Sequence, residues 1–320
     1  MTTASRAGGA TTWGSGLAYA LVSAATFGMS GALARGLLDS GWTAGAAVTA
    51  RIAVAALVLL APGVLALRGR WGALSRNVGL VGAYGVMAVA GAQLCYFYAV
   101  SYLEVSLALL LEYTAPLAVV AWGWLRHGHR PGRVTLLGAA LSIAGLALVL
   151  DVFGGRVELH VGGVLWALGA MLGAATYFVI SADQDNGLPP ISLAAAGLVV
   201  GGAVLGVAGW LGVLPMAANT DPVTYAGFSV AWYWPVLALG IVAGALAYVT
   251  GIAAGRRLGS RLASFVALGE VLCALIFAWL LLDELPGAVQ LVGGVVVLAG
   301  VLVVKAGEPS GSLTVEPLPD

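Results

Sequence analysis

Two stretches of the chain decide its fold: AWGWLRHGHRPGRVTLLGAALSIAGLALV (Ala121–Val149) and IFAWLLLDELPGAVQLVGGVVVLAGVLVV (Ile276–Val304). Laid over each other at a constant offset of 155 residues, they align without a gap. Identical pairs include Trp124/Trp279, Leu125/Leu280, Pro131/Pro286, Gly132/Gly287, Gly138/Gly293, Gly145/Gly300 and Val149/Val304. The same offset carried back to residue 99 adds Leu103/Leu258, Leu107/Leu262 and Ala108/Ala263. Two apolar helices can match by chance, but a Pro-Gly turn and two Gly pairs in register mark an internal repeat.

Each copy is an apolar run, a short turn and a second apolar run, and the rest of the chain reads the same way. Of its 320 residues 61% are hydrophobic and 9% charged. A soluble domain carries about 25% charged residues, and one this poor in charge could not cover its apolar surface. An ordinary soluble enzyme and a disordered protein are excluded. So is a nucleic-acid binder, because the net charge is +0 and binders need a basic face. Continuous runs such as Ala46–Leu67 do not suit a membrane β-barrel, whose strands alternate. An all-α integral membrane protein remains.

A spanning helix needs about 20 apolar residues. Spans are expected at 14–38, 44–67, 77–100, 103–125, 132–151, 161–182, 190–214, 232–255, 260–282 and 286–306. Gly14–Leu38 is too long for a signal sequence and reads as an uncleaved first span behind a polar tail, 1–13. Residues 307–320, with Pro309, Pro317 and Pro319, read as a disordered tail. Cys95 and Cys273 fall in apolar runs and read as small buried hydrophobes.

The repeat matches spans 4–5 to spans 9–10, so its unit is five spans: 14–151 and 161–306. Five is odd, so the second unit would enter the bilayer upside down. Inverted repeats of this kind place a site near the midplane, between the halves. With ten spans both termini share one side. That side holds Arg6, Arg68, Arg70, Arg76, Arg126, Arg130, Arg133, Arg256, Arg257, Arg261 and Lys305, while Arg35 and Arg156 fall on the other. The asymmetry predicts cytoplasmic termini in a cytoplasmic (plasma) membrane.

The chemistry available is narrow. Lys305 is the one lysine, so no phosphate-binding Gly-Lys-Ser/Thr loop exists. His127, His129 and His160 all fall in loops, which leaves no metal set and no Ser–His pair at membrane depth. No cofactor is expected. Arg51, Glu112 and Glu270 lie inside spans, where each costs about 2.5–3.5 kcal/mol at a helix centre and must face protein or a wet cavity. At the repeat offset Glu270 falls on Ala115, three residues after Glu112, and residues three apart share a helix face. Each half would thus offer one carboxylate near the midplane, as a site for a substrate ammonium or a proton, or as interhelical glue. Arg51 would meet a substrate carboxylate or pair with Glu112. Gln93, Tyr96, Tyr113, Trp166, Tyr177 and Tyr248 are candidates to line a pathway, although Tyr and Trp also serve as interface and packing residues. Pro116 should kink span 4 as a hinge. Trp232-Tyr233-Trp234 reads as an aromatic belt, and Gly240/Gly244 and Gly251/Gly255 as close helix packing.

The chain resembles the EamA-like branch of the drug/metabolite transporter superfamily. The resemblance rests on Leu111-Glu112-Tyr113-Thr114-Ala115-Pro116-Leu117 and Leu280-Leu281-Leu282-Asp283-Glu284-Leu285-Pro286. Gly293, Gly300 and Arg51 near the start of span 2 add to it. Two positions depart from the pattern: His129 stands where the second half has Glu284, and Val271 where a proline is expected. The resemblance implies a carrier, proton-coupled or facilitative, exporting amino acids, related metabolites or drugs. Spans 1, 3, 4, 6, 8 and 9 would line its cavity. Its partners would be a small-molecule substrate, protons and the bilayer, and the Gly-lined spans would also suit a homodimer. A channel, a non-transporting receptor and an intramembrane enzyme are the alternatives, and the last lacks an intramembrane His or Lys.

Overall fold

The computed structural model describes residues 3–100, 102, 105–128, 131–149, 160–283, 285 and 287–307. Leu103, His129, Arg130, Arg156, Glu284, Pro286 and the tail beyond Gly307 lie outside them. The apolar runs form helices because a chain without water partners must satisfy its amides and carbonyls within itself. In chain order these are α1 (Thr3–Asp39), α2 (Ala44–Ala66), α3 (Trp71–Arg76) and α4 (Val78–Ala83). A π-helical segment (Tyr84–Gly91) leads into α5 (Ala92–Val100), α6 (Val105–Glu112), α7 (Ala115–His127) and α8 (Arg133–Val149). Then come α9 (Val161–Ala182), α10 (Pro190–Trp210) and a hairpin of β1 (Val223–Tyr225) and β2 (Phe228–Val230). A second π-helical segment (Ile241–Leu246) joins α11 (Tyr233–Gly240) to α12 (Ala247–Ala267), and α13 (Gly269–Leu282) and α14 (Ala288–Ala306) finish the chain.

Among the described residues seven helices are long and apolar enough to cross a membrane. The other three expected spans fall on shorter pieces. Of span 5 the described residues contain α8, Arg133–Val149. Span 4 is divided at residues 113–114, between α6 and α7, and span 9 at Leu268, between α12 and α13. Pro116 does not kink a continuous helix. It sits in the first turn of α7, where its missing N–H costs nothing. The turn expected at Arg256-Arg257 occurs instead at Gly259, whose φ of 78° and ψ of 160° interrupt α12. Helix α1 begins at Thr3, and its apolar, membrane-length part is Trp13–Asp39.

Several features recur 155 residues apart. The π-helical segments, Tyr84–Gly91 and Ile241–Leu246, end at that spacing though they begin 157 residues apart, and the breaks at 113–114 and 268 correspond. The left-handed residue closing α7 is Gly128 (φ 69°), and the one closing α13 is Asp283 (φ 59°). Helices α8 and α14 pack antiparallel through four glycines. A Cβ on Gly138 would lie 2.6 Å from Val304 N, and one on Gly145 2.5 Å from Val297 N. A Cβ on Gly293 would lie 2.6 Å from Val149 N, and one on Gly300 2.6 Å from Ser142 N. Exchanging each residue for its repeat counterpart turns the first two contacts into the last two.

Hydrogen bonds and a cation–π contact tie the connections together at each end of the bundle. At one end Asn77 Nδ2 donates to Asn186 O (2.8 Å), Gln184 Nε2 donates to Arg256 O (2.5 Å), and Lys305 Nζ lies 3.4 Å over the Trp13 ring. At the other, Trp42 Nε1 donates to Asn219 O (3.0 Å) and Ala226 N to Leu281 O (2.8 Å). The hairpin, which the sequence offered only as a connection, packs there with Tyr225 4% exposed, its hydroxyl donating to Leu33 O (2.9 Å). Burial pushes the Tyr225 hydroxyl pKa up.

Candidate functional site

The broken helices create the site. A cavity of about 120 Å³ is walled by α1, the first π segment, α5, α6, α7, α9, α12, α13 and the residues at both breaks. Alanines at 20, 24, 88, 92, 174, 254, 263 and 267 leave the room. Glu112 and Glu270 both line it, with Gln93, Tyr113, Pro116, Tyr177 and Tyr248. Glu112 and Ala115, the counterpart of Glu270, do not share one helix face, because no continuous helix runs through residues 112–115. Glu112 is the last residue of α6 and Glu270 the second of α13, on opposite sides of equivalent breaks. They reach one cavity because both breaks open onto it. The positive end of the α13 dipole favours a negative charge at Glu270, whereas the α6 C-terminus opposes one at Glu112. The Tyr113 side chain lies within interaction range of the Glu270 carboxyl group.

Arg51 stands outside the wall. It is 9% exposed, and its Nη2 donates to Ala243 O at 2.8 Å. The π geometry supplies that acceptor: the Ala247 amide bonds Val242 O and Gly244 O and bypasses Ala243 O. Among the described residues no ion pair within 4.0 Å joins Arg51 to Glu112, and Glu270 is the carboxylate in its electrostatic range. The guanidinium lies 5.6 Å from the Phe27 ring centroid.

Two expected cavity residues lie elsewhere. Trp166 is 39% exposed and stacks on Tyr98 (4.9 Å), because its position on α9 turns outward. Tyr96 packs with Ala99, Ala108 and Ala167, within electrostatic range of both carboxylates. His160 is occupied structurally: its Nδ1 accepts from Gly163 N (3.3 Å) at the start of α9, and its ring stacks on Tyr102 (4.7 Å). The wall also contains Ser23, Phe27, Phe178 and Ser264, which sequence reasoning missed. Phe27, Tyr177, Phe178 and Tyr248 form one edge-to-face cluster. Its centroid distances are 5.2 Å (Phe27–Tyr248), 5.7 Å (Tyr177–Tyr248) and 5.1 Å (Tyr177–Phe178). Ser23 and Ser264 carried the weak signal of a hydroxyl in an apolar run; the two phenylalanines carried none. Among the described residues no group of three His, Cys, Asp or Glu could hold a metal. The arrangement offers a small enclosed volume, two carboxyl groups, a carboxamide and aromatic faces: chemistry for reversible binding of a small molecule and for holding or releasing protons.

Comparison with known proteins agrees with that chemistry. The model of the EamA-like transporter family matches this chain twice, over residues 14–151 and 161–306. One protein of Archaeoglobus fulgidus, described as an uncharacterized transporter, is 30% identical over 208 residues, which is 65% of this chain and 70% of that protein. A second from the same organism, described in the same words, is 28% identical over 235 residues, 69% of this chain and 75% of that protein. A crystal structure described only as that of a protein matches with a TM-score of 0.66 at 20% identity, covering 92% of this chain and 98% of its own, a likeness of fold alone. With the family matched along both halves and transporters among its relatives, the chain belongs to the EamA-like transporter family and is a multi-pass membrane transporter.

Proposed function

We propose that the protein is a secondary transporter that exports small metabolites, such as amino acids or related amphipathic compounds, by alternating access, either proton-coupled or facilitative. The observation that carries this reading is one cavity walled by both halves, to which each half contributes a carboxyl group, Glu112 and Glu270. Ten spans in two inverted sets of five are supported by the double family match. The antiparallel α8–α14 contacts, which map onto themselves under a shift of 155 residues, support the same arrangement. In this scheme the halves rock about the level of the two breaks, where unwound backbone can flex without disrupting long helices. Both termini face the cytoplasm, across the cytoplasmic membrane.

The test is transport by purified protein in liposomes loaded with a pH-sensitive dye. A substrate found by profiling metabolites in cells and medium, with and without overexpression, drives proton movement if the carrier is proton-coupled and none if it is facilitative. Glu270→Gln should reduce that movement, and unchanged flux in this variant removes Glu270 from the mechanism. Preloaded substrate should accelerate uptake by counterflow, as in a carrier; a channel shows no such acceleration.

A further inference from the structure

Resting on the carrier reading but moving its substrate from amino acids to amines, we propose that the cavity selects organic cations: small amines with an apolar or aromatic body, in preference to zwitterions and anions. Among the described residues the wall contains the Glu112 and Glu270 carboxyl groups and no Lys, Arg or His side chain. A substrate ammonium therefore finds counter-charge, while a substrate carboxylate finds no basic group. Arg51, the nearest candidate to receive one, lies outside the wall and donates to Ala243 O. Desolvating an anion without a partner is costly, so this asymmetry is a filter.

The aromatic cluster points the same way from a separate observation. Rings meeting edge to face present electron-rich faces in several directions, and such faces attract cations. One cation already uses the cluster, since the Arg51 guanidinium sits over Phe27. Phe27 also borders the cavity, beside Tyr177, Phe178 and Tyr248. The volume sets the size class: about 120 Å³ is well below the roughly 300 Å³ at which drug-sized ligands begin to fit, so a metabolite-sized amine matches the enclosed space.

Three probes that share one ring test this: tyramine (ammonium only), tyrosine (ammonium and carboxylate) and 3-(4-hydroxyphenyl)propionate (carboxylate only). Binding is measured by calorimetry on the purified full chain in detergent, and counterflow of each probe is measured in liposomes. Tyramine should bind at least about tenfold more tightly than either other probe. Glu112→Gln, checked for folding by its melting curve, should lose that preference. The comparison on the native protein stands even if the variant does not fold. Tyrosine or the propionate binding as well as tyramine, or no binding of tyramine at millimolar concentration, overturns the proposal. Tyramine binding without counterflow upholds the cation site and overturns the carrier reading. Counterflow of tyrosine or the propionate without tyramine binding does the reverse.

Discussion

Glu112 and Glu270 correspond only loosely within the repeat, and their surroundings predict different responses to the same substitution. Glu112 sits where α6 presents its unpaired carbonyls, while Glu270 lies in the first turn of α13 near Arg51. A helix-end charge contributes about 0.3–1 kcal/mol, with opposite sign at the two ends. Glu112→Gln should therefore be the more stable variant in detergent melting curves and Glu270→Gln the less stable; the reverse order overturns the helix-end argument. Gly251 makes a second prediction at this scale. A methyl group there would run into the Tyr177 hydroxyl and lie 2.8 Å from Ser23 Oγ. Gly251→Ala should push Tyr177 into the cavity, at about 1–3 kcal/mol of overpacking. The expected result is a folded protein with reduced flux, and unchanged flux would place Tyr177 outside the path. The charged members of the site were legible in the sequence because a carboxylate inside an apolar run is expensive and so conspicuous. Phe27 and Phe178 were not legible, since a phenylalanine on a spanning helix suits lipid as well as a cavity wall. For the same reason Trp166 misled.

At the scale of elements, what the linear pattern conceals is where helices stop. The breaks at 113–114 and at Leu268 occur with Pro116 in one half and Val271 in the other, so proline does not cause both. The hairpin had a readable signal, Val223-Thr-Tyr and Phe228-Ser-Val around Ala226-Gly227, where Gly227 has φ 81°. That signal is faint beside the apolar runs. The π segments leave no periodic trace at all. Helix ends, by contrast, are open to test. Gly128 and Asp283 both take a left-handed conformation, which costs a residue with a Cβ roughly 1–2 kcal/mol and glycine almost nothing. Asp283→Gly should raise the melting midpoint and Gly128→Ala should lower it. A fall on Asp283→Gly would show that the aspartate side chain contributes more than its backbone conformation costs.

For the whole molecule, the offset of 155 reaches further back than the segment from which it was read. Val81/Val236, Ala83/Ala238, Gly85/Gly240, Ala88/Ala243, Ala90/Ala245 and Ala92/Ala247 keep it. In a chain this rich in Gly, Ala and Val such matches are common by chance, and only the recurrence of the π segments gives them weight. Contacts also recur across spans 2 and 7. A Cβ on Gly240 would meet Val54 and Arg51 O, one on Gly85 Val200 and Gly197 O, and position 146 residues after Arg51 and Val54 are Gly197 and Val200. The five-plus-five arrangement proposed above fixes sidedness. Seven spans would leave the two ends of the chain on opposite faces, whereas five plus five inverted spans leave them together, as the Lys305–Trp13 contact requires. In a background with Cys95 and Cys273 replaced by alanine, single cysteines at Arg70, Asp185, Asp221 and Lys305 separate the cases. A membrane-impermeant maleimide applied to intact cells should label Asp221→Cys alone, and Arg70→Cys, Asp185→Cys and Lys305→Cys only after permeabilisation. Labelling of Lys305→Cys from outside would rule out the even count, and with it the inverted halves about which the cavity is proposed to alternate.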